Sequence, residues 1–185
     1  MNNTKEARIV ELRAKDDEKM VIEGYAVVFE SLTDLGYCRE IISRDALNDC
    51  DMSDVCMKYN HSDELLIMAR TRNNSLQLSV DEHGLLVRAE LIDTTQNRDL
   101  YKMIQSGLLT KMSFAFTVAE DTYDYETDTR RIERIDKLYD VSVVDVPAYE
   151  DTEVYARSKE KYEENKKKHE ELEFKKKKYL ALISL

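Results

Sequence analysis

Apolar and polar residues alternate in short runs over the first 156 positions, a pattern of strands more than of helices. The run Val21-Ile22-Glu23-Gly24-Tyr25-Ala26-Val27-Val28-Phe29 is apolar and rich in β-branched and aromatic residues, as a buried strand is. Ser75-Leu76-Gln77-Leu78-Ser79-Val80 alternates at period two, which predicts a half-buried strand. Asp81-Glu82-His83-Gly84 then reads as a hairpin turn with Gly84 at positive φ, and Leu85-Leu86-Val87-Arg88-Ala89-Glu90-Leu91 as the return strand. Residues 111–119 and 137–146 are the next predicted strands. Pro147, the single proline, has no N–H for a ladder and is expected to stop the second. Two short helices interrupt the strands. One covers residues 43–49 with Ser43 as its N-cap. The other covers 95–106, where Leu100, Met103 and Ile104 recur at helical spacing and Gly107 closes the element.

From Ser158 onward Lys and Glu dominate and Gly and Pro vanish, which predicts a long charged helix ending in Tyr179-Leu180-Ala181-Leu182-Ile183. Its Tyr162, Leu172, Phe174 and Tyr179 are too irregularly spaced for a coiled-coil heptad. The fold expected is mainly β with helices (α+β). Residues 1–157 form a mostly antiparallel β domain, and residues 158–185 a helix for targeting or interaction.

Composition narrows the functional classes. With 185 residues and 42% hydrophobic content, the chain suffices for one domain with a real core. No run of 18 apolar residues predicts a membrane span, and residues 1–15 carry no apolar stretch of a secretory signal. Three cysteines, Cys38, Cys50 and Cys56, without C-x-x-C spacing argue against a disulfide framework or a zinc site. Structural, reduced thiols are expected. Histidines and cysteines lack ligand spacing, so neither a metal nor a cofactor is expected. Residues 158–185 hold nine Lys and six Glu, leaving 19 Lys and Arg against 32 Asp and Glu in the remainder. So acidic a body repels phosphate backbones and argues against nucleic-acid binding. The basic runs at 166–168 and 175–178 read as a solvated helical face.

The candidate chemistry centres on Ser113 and His61. A serine hydroxyl needs a base to become a nucleophile, and the chain has three histidines. His83 falls in the hairpin turn and His169 among lysines, so His61, at a strand end after Val55-Cys56-Met57, is the best placed. Strand parity puts Met112, Phe114 and Phe116 on one face and Ser113, Ala115 and Thr117 on the other, small enough to floor a cleft. On the residues alone, a small serine packed under a helix and a solvated loop histidine are the default readings.

Several segments together resemble the tailed-phage prohead serine proteases, the maturation proteases of HK97-type capsids. They are Gly24-Tyr25-Ala26-Val27-Val28-Phe29, Arg39-Glu40-Ile41-Ile42, Asn60-His61, Asp81 with Gly84-Leu85, and Ile104 with Gly107. Met112-Ser113-Phe114-Ala115-Phe116 follows, and then Asp140-Val141-Ser142-Val143-Val144 leading into Pro147-Ala148-Tyr149. They occur in the family's order across about residues 20–156, while residues 158–185 match nothing in it. The resemblance implies an antiparallel β-barrel like the herpesvirus protease fold, and a serine endopeptidase at work in the bacterial cytoplasm inside assembling procapsids. Its implied partners are the major capsid protein, with its scaffolding region as substrate, and further copies of itself. Ser113 is the implied nucleophile and His61 the general base. Asp140 is the implied residue that orients His61, with Asp145 as runner-up; five positions apart, these two face opposite ways on a regular strand. Ser142 is the next candidate nucleophile. The chain departs from the family where Ser62 precedes Asp63, where Ile67-Met68-Ala69 replaces a segment that often holds glycine, and at Ala115. Arg130-Arg131, a conceivable oxyanion contact, is expected to be a solvated hairpin pair. An inactive barrel serving as a capsid scaffold or assembly factor is the alternative.

Overall fold

The computed structural model describes residues 5–16, 19–65, 67–145 and 153–183. Among these residues ten strands form one sheet: β1 (Lys5–Asp16), β2 (Val21–Val28), β3 (Thr33–Asp34), β4 (Arg39–Ile42), β5 (Cys56–Tyr59), β6 (Ala69–Arg70), β7 (Leu76–Val80), β8 (Gly84–Glu90), β9 (Lys111–Asp124) and β10 (Thr129–Val144). Two helices, α1 (Thr95–Gln105) and α2 (Glu153–Ile183), and a 3-10 turn at Thr71–Asn73 complete it. The strands run in the order β3-β4-β10-β9-β1-β2-β8-β7, with β5 and β6 attached to β10 off this path. Most pairs are antiparallel, but β4 and β5 both run parallel to β10. Among the described residues β3 and β7 do not pair, so the expected closed barrel is not found. The sheet nevertheless coils tightly. β2 and β9 touch although β1 lies between them, and Ile42 near one end of the strand order shares a core with Leu76 at the other.

That core follows from the alternation. Met112, Phe114 and Phe116 on β9 are buried with Leu138, Val141 and Val143 on β10 and Met57 on β5. Each such side chain contributes about 1.5–3 kcal/mol on burial, before the entropy cost of ordering it. α1 covers one side with Leu100, Tyr101 and Ile104. Thr94 caps it by accepting from the Asn97 N–H (3.2 Å), and Gly107 stops it at φ 74°.

Several elements differ from the sequence reading, each for a local reason. Residues 43–49 form no helix but successive turns, Ala46 N–H to Ser43 O, Asn48 to Asp45 and Cys50 to Leu47. Seven residues are too few to nucleate a helix cheaply, and the Asn48 amide bonds the Asp45 side chain instead (3.1 Å). Ser43 is therefore no N-cap; its N–H joins Ile132 O in the sheet. β1 is absent from the sequence reading because charged residues break its alternation, yet it is the central strand joining β9 to β2. The strands read at 111–119 and 137–146 extend into one long hairpin, with β10 starting at Thr129 and ending at Val144; Pro147 lies outside the described residues. α2 begins at Glu153, ahead of the compositional change at Ser158.

α2 rests on the tip of that hairpin. Tyr162 is buried against Leu35 and Cys38, and its hydroxyl bonds Asp128. Lys166 donates to both Asp128 (3.2 Å) and the Tyr162 oxygen (3.0 Å), and the His169 ring stacks on Tyr125 at 3.9 Å. Beyond this seat Leu172, Phe174, Tyr179 and Leu180 are exposed. Among the described residues no helix is long and apolar enough to cross a membrane.

Gly84 is not at positive φ, contrary to expectation; only Gly36 and Gly107 are among the described glycines. Its requirement is space. A Cβ there would lie 1.9 Å from the Val27 carbonyl oxygen. Gly84→Ala is therefore expected to destabilise the fold by about 1–3 kcal/mol through overpacking against backbone, read as a lower urea midpoint at unchanged m-value. A midpoint equal to wild type would refute the close approach.

Candidate active site

The site is assembled where three strands lie side by side. β5, β10 and β9 bring Lys58, Ser142 and Ser113 into one row, and Cys56, Asp140 and Ala115 into the next. Residues directly opposite one another share a face of the sheet. The face of Ser113 and Ala115 therefore also carries Asp140 and Ser142, while Met112, Phe114, Val141 and Val143 point into the core.

A β-bulge creates this arrangement. Leu138 pairs with Phe116 on the core face, but Asp140 pairs with Ala115, so Tyr139 is an extra residue in β10. Regular pairing would set Asp140 opposite Phe114, on the core face. The slip moves the carboxylate onto the serine face.

His61 arrives from the end of β5. Asn60 and His61 both adopt left-handed backbone (φ 51° and 54°), a conformation that costs a non-glycine residue on the order of 1 kcal/mol or more unless its surroundings hold it. Here they do. The Asn60 N–H donates to Val143 O (2.9 Å), its side-chain oxygen accepts the Asp145 N–H (3.1 Å), and the Ser62 N–H closes the turn on Tyr59 O (3.0 Å). The Tyr59 hydroxyl donates to Asp145 (3.1 Å). Burial, and then the Asp145 carboxylate, push that phenol up from its ordinary pKa.

The turn swings the imidazole over β9 and β10. Its Nδ1 lies 2.5 Å from Asp140 Oδ1 and its Nε2 2.8 Å from Ser113 Oγ. A carboxylate can only accept, so the proton sits on Nδ1, and Nε2 is left to accept the serine O–H. Asp140 Oδ1 also accepts the Ser142 hydroxyl (2.9 Å). Ser113 and Asp140 are fully buried, whereas the His61 side chain keeps 15% exposure. The face expected to floor an open cleft is thus covered, with the imidazole as its solvent-facing member. Such a chain can move a proton from serine to imidazole while the carboxylate stabilises the cation formed.

Ser113, His61 and Asp140 are therefore brought together, and Asp145 is not. It lies one residue past β10, bound to Tyr59 and Asn60. His83 packs edge-on against Tyr25 at 4.5 Å, and His169 sits on Tyr125. Arg130-Arg131 is not a solvated pair: Arg130 is 4% exposed and donates to Asp121 (2.7 Å) and Glu40 (3.4 Å). It stands opposite Tyr123, ten residues from Ser113 along β9, which is about 30 Å at strand rise; it cannot serve the site. Cys38, Cys50 and Cys56 are free thiols, with burial pushing Cys50 up to about 11. No cluster among the described residues could hold a metal ion. Sequence reasoning missed Lys58, the anchoring by Asn60, and Ser142 as a partner of Asp140. For Ser142 the signal was present, since it follows Asp140 by two residues in a strand.

Comparison with known proteins adds three findings. Residues 8–168 match the family described as caudovirus prohead serine protease. The chain is 30% identical over 145 residues to the prohead protease of Enterobacteria phage HK97, covering 76% of this chain and 61% of that protein. It thus spans about three-fifths of the length of that relative. Its fold is similar to that of the bacteriophage T4 capsid assembly protease, with a TM-score of 0.56 at 14% identity over 80% of this chain and 100% of the other.

The short Nδ1–carboxylate bond should give one strongly downfield proton resonance in solution. Asp140→Ala is expected to abolish the signal and Ser113→Ala to retain it. A signal that survives Asp140→Ala would mean another group accepts the imidazole proton.

Proposed function

We propose that this chain, which belongs to the caudovirus prohead serine protease family, is a serine endopeptidase that removes capsid-associated scaffolding segments during procapsid maturation. The observation that carries the reading is the unbroken hydrogen-bonded chain from Asp140 through His61 to Ser113. Ser113 Oγ attacks the scissile carbonyl carbon as its proton passes to His61 Nε2. The imidazolium, held by Asp140, returns that proton to the leaving amine as the peptide C–N bond breaks. Water then attacks the acyl-serine, giving one proton to His61, which restores it to Ser113 as the acid product leaves.

Ser142 donates to the carboxylate rather than acting as a nucleophile, and Asp145 anchors the turn. Residues 1–157 act as the protease domain, and residues 158–185 as a targeting or interaction helix. The fold is taken as an opened relative of the herpesvirus-type protease barrel, a reading supported by the single core that both ends of the strand order share. The enzyme works inside the assembling procapsid, with the scaffolding region of the major capsid protein as substrate and other copies of itself as partners. The alternative, a catalytically silent scaffold, offers no reason to bury a serine and a carboxylate under a histidine, because each costs desolvation energy that an apolar residue avoids.

The test is co-expression with the cognate major capsid protein, read by intact mass. Wild type is expected to trim the capsid protein at a defined site, and Ser113→Ala to leave it whole while melting like wild type. Asp140→Asn should lower cleavage by roughly 10⁴-fold and His61→Ala by roughly 10⁶-fold, and Asp145→Asn should leave it near wild type. Trimming by Ser113→Ala would overturn the nucleophile assignment. Untrimmed capsids with wild type would support the scaffold.

A further inference from the structure

Lysines are seldom buried, yet Lys58 keeps only 14% side-chain exposure and stands next to Ser142 in the row that ends at Ser113. Its ammonium bonds the carboxylate of Asp63, two residues beyond His61 and itself 89% exposed. The ion pair thus closes a loop of backbone with the strained Asn60-His61 turn inside it. Burial pushes the ammonium toward its neutral form, but the Asp63 bond and the charges of Asp140 and Asp63 outweigh it, and the net direction is upward. Lys58 is therefore a fixed positive charge within electrostatic reach of Asp140. Asp140 bonds the imidazole directly; Cys56 on β5 and Lys111, opposite Val144 on β9, stand in neighbouring rows, and Asp145, one residue past β10, bonds Tyr59.

We infer that Lys58 is a positioning residue of the Ser113–His61–Asp140 site: with Asp63 it clips the turn that carries His61, and its charge disfavours the imidazolium, so that His61 remains a base at lower pH. The inference rests on the reading of His61 as general base. Lys58 does not touch the reacting atoms; it acts through the imidazole and its carboxylate. Charge sets the sign. Removing the ammonium leaves Asp63 and Asp140 to favour the imidazolium, so activity fails at higher pH. Removing the Asp63 charge takes away one of the two carboxylates that act on the ammonium and shifts the limb the other way, by less, because Asp63 is exposed and screened.

Two readouts test this on the full chain. One is the pH dependence of Ser113 acylation by an alkyl fluorophosphonate. The other is the NMR titration midpoint of the His61 ring, assigned by loss of its signal in His61→Ala. Lys58→Met is expected to raise both the acid limb and the midpoint by about half to one pH unit, which is about three- to tenfold slower labelling below the limb. Lys58→Arg should restore both, and Asp63→Asn should lower both. Lys58→Arg and Asp63→Asn keep the test alive should Lys58→Met fold poorly. A midpoint unmoved in Lys58→Met, or shifted in the same direction by Lys58→Met and Asp63→Asn, would overturn the inference. An acylation limb that ignores the His61 midpoint, or labelling that persists in His61→Ala, would instead overturn His61 as the base.

Discussion

The β9–β10 ladder is the constraint from which the rest of the molecule follows. It buries Met112, Phe114 and Phe116 against Leu138, Val141 and Val143, and those contacts fix its register, because a slip by one residue would turn every apolar side chain outward. The same register sets what lies on the other face. The extra residue at Tyr139 lets a continuous apolar core coexist with a carboxylate beside the serine. β5 then adds to β10 in parallel, and its end delivers His61 over both. Ser113, Asp140 and His61 are thus placed by packing on the face they do not occupy.

Rigid strands alone do not aim the imidazole. The turn after β5 holds two non-glycine residues in left-handed backbone, and Asn60, Val143, Asp145 and the Lys58–Asp63 pair pin it. Strain of this kind persists where surrounding contacts over-determine it. Here its effect is to set both ring nitrogens within hydrogen-bonding distance of their partners.

At the far end of the same hairpin the ladder has a different task. Asp124 and Asp128 shape the tip, which seats α2 through Tyr162, Lys166 and His169. The Tyr162 bond, and then Lys166, hold the Asp128 carboxyl below its usual range. The helix is thereby anchored at one end of the sheet, about 40 Å of strand from the serine, and its distal apolar residues remain exposed.

Much of this was legible in the sequence. An apolar β-branched run located β2, alternation β7 and a hairpin turn β8, and strand-like runs the heart of β9 and β10; helical spacing with a closing glycine located α1; composition located α2. Those signals are local, because side-chain period and capping are properties of neighbouring residues. Ser113 and His61 could be singled out by scarcity and motif, and Asp140 by resemblance. Other features had no local signal. β1 is a charged segment made a central strand by the edges it joins, and residues 43–49 lost their helix to turns tied into the sheet. Gly84 is required by the Val27 carbonyl, 57 positions away in the chain, not by its own φ. The choice between Asp140 and Asp145 shows the division most clearly. Parity along the strand could say only that the two face apart. Which of them meets the histidine was decided by a bulge, and a bulge depends on how two strands register against a shared core.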